Sequence, residues 1–92
     1  MNKLFTEEGW EDYIYWIKEN KKTLKRINSL LIDIERNEYK NGFEEGIGKP
    51  EPLKGNKQGY WSRRINQEDR LVYRIDGESI IIVACRNHYD DK

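Results

Sequence analysis

The sequence predicts an α+β domain. Its parts are a short N-terminal strand, two antiparallel helices, and an antiparallel sheet formed mainly by a C-terminal three-strand meander, with the helices on one face of the sheet. Three observations predict it. Apolar residues recur at helical spacing in two early stretches, 10–17 and 24–34. From Tyr60 onward the period changes to two. Asp76-Gly77, a dipeptide suited to a two-residue hairpin, then sits between two apolar runs. Helices followed by consecutive strands are the α+β order.

Lys3-Leu4-Phe5 reads as a short edge strand. Thr6 offers an N-cap, with Glu7 and Glu8 in the first turn, where acids complement the helix dipole. Trp10, Tyr13, Ile14 and Ile17 then mark the apolar face of a first helix. The polar run Glu19 to Lys22 interrupts the pattern. Leu24, Ile27, Leu31 and Ile34, with Leu30 beside them, restore it as a second helix. So short a connection predicts an antiparallel pair.

Residues 37–48 contain Gly42, Gly46, Gly48, Asn37 and Asn41 and read as a loop. The G-x-G pair there follows no strand, so it is no nucleotide-binding fingerprint. Pro50 and Pro52 flank Glu51 and hold it on a stiff, extended segment. Farther on, Tyr60, Ser62 and Arg64 point to one side of a strand, and Trp61, Arg63 and Ile65 to the other. Asn66 to Asp69 is a polar turn. Arg70, Val72 and Arg74 then alternate with Leu71, Tyr73 and Ile75. Ser79 to Arg86 is a nearly continuous apolar run, the mark of a central strand. No repeat, low-complexity segment or boundary divides residues 1–92, which read as one domain.

The composition bounds the core. Hydrophobic residues make up 36% and charged residues 37% of the chain, a balance that by itself suggests disorder. Three Trp, six Tyr and two Phe argue for folding, because aromatic rings bury large areas. A thin core leaves a partner subunit or protein a place to bind. The single Cys85 excludes an internal disulfide and lies in an apolar run, which predicts a buried, inert thiol. One His, one Cys and scattered carboxylates lack the spacing of metal ligands, so no metal or cofactor is expected. No apolar run approaches membrane-spanning length and no signal-peptide core is visible, so the cytoplasm is the expected location.

A net charge of zero conceals a local field. Lys49 to Arg74 holds seven basic residues (Lys49, Lys54, Lys57, Arg63, Arg64, Arg70, Arg74) against Glu51, Glu68 and Asp69, a net +4. The segments on either side are each −2. Such a field attracts phosphate whatever the overall charge. Just past the central strand, His88 is the only histidine and so the only side chain that ordinarily exchanges a proton near neutral pH. His88 is either such a group or a plainly exposed residue. Glu51 is either a solvated loop acid or a base. Arg64 and Arg70 either pair with surface acids or bind phosphate. Tyr60, Trp61 and Tyr73 fit a core better than a base-stacking platform. An acid or base, a histidine and guanidiniums suit phosphodiester chemistry driven by proton transfer and charge stabilisation.

Five stretches resemble the YoeB toxins of bacterial toxin–antitoxin pairs, within the RelE/ParE superfamily. They are E-E-G-W-E-D-Y-I-Y-W at 7–16, G-K-P-E-P-L-K at 48–54, G-Y-W-S-R-R-I at 59–65, R-L-V-Y at 70–73 and A-C-R-N-H-Y at 84–89. The resemblance covers nearly the whole chain. It implies a ribosome-dependent endonuclease that cuts translated mRNA in the ribosomal A site. By position, it makes Glu51 the general base, Arg70 the stabiliser of phosphorane charge and His88 the general acid. Tyr89 falls beside the message base, and Lys54 and Arg64 on the RNA backbone. It implies a 2′,3′-cyclic phosphate and a 5′-hydroxyl as products, no metal, a homodimer, and a YefM-type antitoxin. The chain departs from the family by adding Asp90-Asp91-Lys92 after the H-Y pair, and its loop at 37–48 is long. Two other readings stand beside the nuclease: a ParE-like gyrase poison, a type that lacks the Glu51/Arg70/His88 set, and a non-catalytic RNA-binding module.

Overall fold

A computed structural model describes residues 1–37 and 46–86. Most of the loop read at 37–48 lies outside them, as do His88, Tyr89 and the Asp90-Asp91-Lys92 tail. The helical layer turns on one residue. Helix α1 spans Glu7–Glu19 and α2 spans Lys21–Asn37, with Asn20 between them. The Asn20 N–H donates to the Trp16 carbonyl at 3.0 Å and ends α1. Its side-chain Oδ1 accepts the Thr23 N–H at 3.1 Å and caps α2. Tyr13 Oη donates to Asn28 Oδ1 at 2.7 Å, joining residues nearly equidistant from Asn20. The helices therefore lie antiparallel.

Thr6 caps α1 as the sequence predicts, its Oγ1 accepting the Gly9 N–H at 3.1 Å. The buried face of α1 differs from the predicted stripe. Gly9, Asp12 and Trp16 are buried, whereas Trp10 is 49% and Ile17 39% exposed. The reason is a close approach at Gly9, where a Cβ would collide with the Ile82 carbonyl oxygen. That seat rotates the helix and turns Trp10 and Ile17 outward. Helix α2 follows its pattern, burying Ile27, Leu30, Leu31 and Ile34.

Among the described residues, five strands form one sheet: β1 Asn2–Phe5, β2 Glu51–Pro52, β3 Trp61–Arg64, β4 Arg70–Asp76 and β5 Ser79–Ala84, in the order β1-β5-β4-β3-β2. The meander β3–β4–β5 is antiparallel, as read. Its edges add two features. Glu51-Pro52 pairs antiparallel with β3, and a proline is tolerated there because an edge strand need not donate on both sides. Strand β1 runs parallel to β5, which makes the sheet mixed. Its direction follows from α1: the Thr6 N–H still bonds the Ile82 carbonyl at 3.0 Å as the chain enters the helix.

Trp16, Ile27, Leu30 and Ile34 of the helices form the core with Leu71, Tyr73, Ile80 and Ile82 of the sheet. The register steps from Tyr73↔Ile82 to Val72↔Ala84, so Val83 is an extra, bulged residue. Beyond the bulge, Ala84 pairs on the outer face and Cys85 joins the core.

An ionic network joins the two layers at the edge of this core. The charge map counts Arg63 in the surface field; the structure withdraws it, because Arg63 has no solvent exposure. Its Nη1 donates to Asp33 Oδ2 at 2.6 Å and to the Ile47 carbonyl at 3.0 Å, and its Nε to Tyr73 Oη at 3.1 Å. Burial pushes the Asp33 carboxyl up. The hydrogen bond from Arg63, the Ile47 N–H, the guanidinium charge and Asn37 together outweigh it and hold the group below its ordinary 3.8. Because the folded value is depressed, this stabilisation is present above the unfolded pKa and is lost as pH falls through the folded one. Asp33→Asn should cost about 3 kcal/mol, at the low end for breaking a buried pair, because the Asp33 side chain keeps 21% exposure. Urea denaturation at neutral pH measures that loss. On acidification from about pH 5 to about pH 2, the parent should lose more stability than the variant.

Candidate active site

Strand register places the candidate residues. Glu51 pairs with Ser62, Ser62 with Val72, and Val72 with Ala84, one row across four strands. Arg64 pairs with Arg70 in the next row on the same face. This face is the one turned away from the helices, since Leu71 and Tyr73 of the alternate set pack in the core. Glu51, Arg64 and Arg70 therefore share a surface. Its floor is Ser62, Val72 and Ala84, with 1%, 1% and 5% exposure. Arg64 and Arg70 sit directly opposite, with Cβ atoms about 5 Å apart by sheet geometry. Glu51 lies two strands over and two residues along from Arg70, about 12 Å by backbone spacing.

Local chemistry fixes each position. Asn66 Oδ1 accepts the N–H groups of Glu68 and Asp69, both at 2.8 Å, and the Ile65 N–H bonds the Asp69 carbonyl at 3.0 Å. This tight Asx turn is what sets Arg64 against Arg70. Two like charges opposite one another destabilise a sheet unless something answers them. On the other side, the Arg64 N–H donates to the Gly48 carbonyl at 2.7 Å. Lys49 follows with φ 53°, a left-handed conformation uncommon outside glycine, and the chain then enters Pro50-Glu51. The Leu53 N–H bonds the Tyr60 carbonyl at 2.9 Å and closes a hairpin containing a short 3-10 turn, Gly55–Lys57. Exposed Lys54 immediately precedes that turn at the rim, its carbonyl accepting the Lys57 N–H at 3.2 Å.

Glu51, Arg64 and Lys54 are exposed and Arg70 is half-buried. Arg74 also leaves the field in part, pairing with Asp76 at 3.6 Å. Tyr73 is core, and Trp61 packs against the core, as their sequence context suggests. His88 and Tyr89 lie outside the described residues. Their approach is held by α1: the Cys85 N–H donates to Asp12 Oδ2 at 3.0 Å, and Trp16 Nε1 donates to the Cys85 carbonyl at 2.8 Å. The Arg86 guanidinium then sits 3.5 Å over the Tyr15 ring.

A sequence profile described as the YoeB-like toxin of bacterial type II toxin-antitoxin systems matches residues 5–89. The chain belongs to that family. Toxin YoeB of Escherichia coli K12 is 48% identical over 89 residues, which is 97% of this chain and 100% of the relative. A heterotetrameric YoeB-YefM toxin-antitoxin complex from Staphylococcus aureus contains a chain that superposes with a TM-score of 0.86 at 50% identity, covering 97% of this chain and 98% of that one. The Staphylococcus aureus YoeB dimer superposes at 0.85 with the same identity and coverage.

In this YoeB-family chain, no group of three or more His, Cys, Asp or Glu among the described residues is placed to hold a metal ion. Likewise, no helix among them is long and apolar enough to cross a membrane. The Asp33–Arg63 pair was missed by the sequence reading, although it left a trace: Arg63 falls on the same side of its strand as Trp61 and Ile65, and a cation on the apolar side needs a buried partner.

Cys85 lies under the end of β5 with no exposure. Burial first, then the Asp12 and Asp69 charges, push its thiol up to about 12. A thiol so raised stays protonated and unreactive. An aromatic disulfide reagent in mildly alkaline buffer should leave the native protein unlabelled and should titrate one thiol in urea. Native labelling at the rate of a free cysteine would contradict the burial.

Proposed function

We propose that the chain is a ribosome-dependent mRNA endoribonuclease that inhibits translation by cutting message in the A site. The observation that carries this reading is the pair Arg64↔Arg70, two guanidiniums opposed on an outer sheet face that also bears Glu51. An RNA phosphate between them answers their repulsion and receives bidentate hydrogen bonds. In the proposed reaction the Glu51 carboxylate takes the proton of the 2′-OH, and the 2′-oxygen attacks the adjacent phosphorus. Arg70, with Arg64 beside it, stabilises the charge on the non-bridging oxygens. His88, assigned from the family pattern, gives its proton to the departing 5′-oxygen. The products are a 2′,3′-cyclic phosphate and a 5′-hydroxyl. Lys54 and Arg64 hold the RNA backbone, and Tyr89 packs against the message base.

Primer extension on a translated message tests the reading. The wild-type chain should cut it, whereas a gyrase poison or passive RNA binder would leave it whole. His88→Gln should bind ribosomes but cleave about 10²–10⁴-fold more slowly, the usual worth of a general acid. Arg70→Lys keeps the charge and loses the planar fork, so cleavage should fall strongly with little change in ribosome affinity. Equal losses in both would make Arg70 a docking residue.

We also propose a homodimer and a YefM-type antitoxin as partner, the assemblies seen in the Staphylococcus aureus relatives. Exposed Leu4, Trp10, Ile17 and Ile32 leave apolar surface for such contacts. The antitoxin segment that covers the basic face should be acidic, and its association should slow as salt rises. Titrating antitoxin into toxin while following cleavage and amide exchange checks this. Full inhibition without protection at Lys54, Arg64 or Arg70 would place the antitoxin elsewhere.

A further inference from the structure

Glu51 sits on a strand that holds it weakly. Strand β2 is two residues long and lies at the edge of the sheet, and Pro52 has no N–H to give. The anchoring lies upstream. Both backbone groups of Ile47 end on the ion pair, buried at Arg63 and partly exposed at Asp33: its N–H donates to Asp33 Oδ2 at 3.0 Å, and its carbonyl accepts from Arg63 Nη1 at 3.0 Å. Asn37 Nδ2 donates to the same Asp33 oxygen at 3.0 Å and fixes its orientation. The glycines on either side press against the pair. A Cβ on Gly46 would collide with Asp33 Oδ2, and one on Gly48 would lie 3.2 Å from Arg63 Cβ and 2.8 Å from Leu30 Cδ2. From the Gly48 carbonyl, held by the Arg64 N–H, only Lys49 and Pro50 intervene before Glu51.

We propose that the Asp33–Arg63 pair is a clamp that positions Glu51, acting through residues 46–48 to set where the carboxylate stands relative to Arg64 and Arg70. The inference rests on the reading of Glu51 as general base given above. Arg63 itself faces the helices and touches no substrate; it is a positioning residue. A buried ion pair adds little stability over apolar residues of the same shape, so stability alone does not account for it. Its geometry does something apolar packing does not: one guanidinium grips helix, strand and loop at once through directional hydrogen bonds. A reacting group displaced by about 1 Å can lose about 10²-fold in rate.

The test replaces both charges together, Asp33→Leu with Arg63→Met, which removes the clamp without leaving a lone buried charge. Single-turnover cleavage on programmed ribosomes should fall about 10–100-fold, with the half-saturating ribosome concentration within about twofold of the parent. Amide exchange at Ile47 and Arg64 should accelerate. In a Glu51→Ala background the same double change should cost no more than about twofold, because the group it positions is gone. Ile80→Val, which weakens the core on β5, three strands from β2, should leave the cleavage rate unchanged. If the double variant does not fold by circular dichroism, Gly48→Ala carries the same expectations, since its φ of 82° and its approach to Arg63 Cβ and the Arg64 carbonyl make an alanine there displace the loop with no charge altered. Parent-like cleavage despite faster exchange overturns the inference. So does unchanged exchange, and so does an undiminished fall in the Glu51→Ala background. Failure of the functional reading looks different: the parent itself leaves message uncut, and the positioning role falls with it while the exchange change persists.

Discussion

An arginine without solvent exposure has to bring its counter-charge into the fold, and this requirement at Arg63 ties the structure together. Its guanidinium reaches α2 at Asp33, β4 at Tyr73 and the chain entering β2 at Ile47. No apolar residue at position 63 would select one depth and one rotation of α2 over the sheet so narrowly. Directional bonds of 2.6 to 3.1 Å do so. Burial raises the Tyr73 phenol above its ordinary value, and the charge and hydrogen bond of Arg63 oppose that rise; the hydroxyl accepts from Arg63 Nε. The helical layer and the outer-face site are thus mechanically joined through one side chain.

Much of the fold was legible because its signals are local. The Thr6 cap, the α2 stripe, the Asp76-Gly77 hairpin and the alternation of β4 are all written in short windows. What was not legible depends on partners far away in sequence. The rotation of α1 is decided by Gly9 meeting Ile82, and the direction of β1 by its pairing with β5. Within the site, alternation alone assigned Arg64 and Arg70 to one side of their strands. It was silent on whether those sides coincide, because that depends on the register across the Asn66–Asp69 turn. The flanking prolines predict an extended backbone at Glu51, and the structure has it in strand β2; its place in a row with Ser62 and Val72 needed the sheet. Arg63 looked like surface charge because charge counting ignores which face a residue occupies.

The surface is electrically divided. The outer sheet face and its rim carry Lys54, Arg64 and Arg70, while the start of α1 presents a cleft lined by Glu7, Glu8, Glu11 and Asp12. The acids serve the fold at their own end: Glu7 and Glu8 lie in the first turn, at the positive pole of α1, and Asp12 holds the Cys85 N–H. A basic face and an acidic helix start within a chain of zero net charge give the surface a local field that the net charge conceals.

The parallel pairing of β1 with β5 has a consequence for synthesis. Asn2 aligns with Ser79 and Phe5 with Ile82, contacts that span most of the chain. The two helices are made early but have their sheet surface only after β4 and β5 exist. Closing so long a loop is entropically costly and comes late. A nascent chain therefore carries an unfinished sheet until its C-terminal strands are free to dock, and the face that bears Glu51, Arg64 and Arg70 is assembled after most of the polypeptide has been translated.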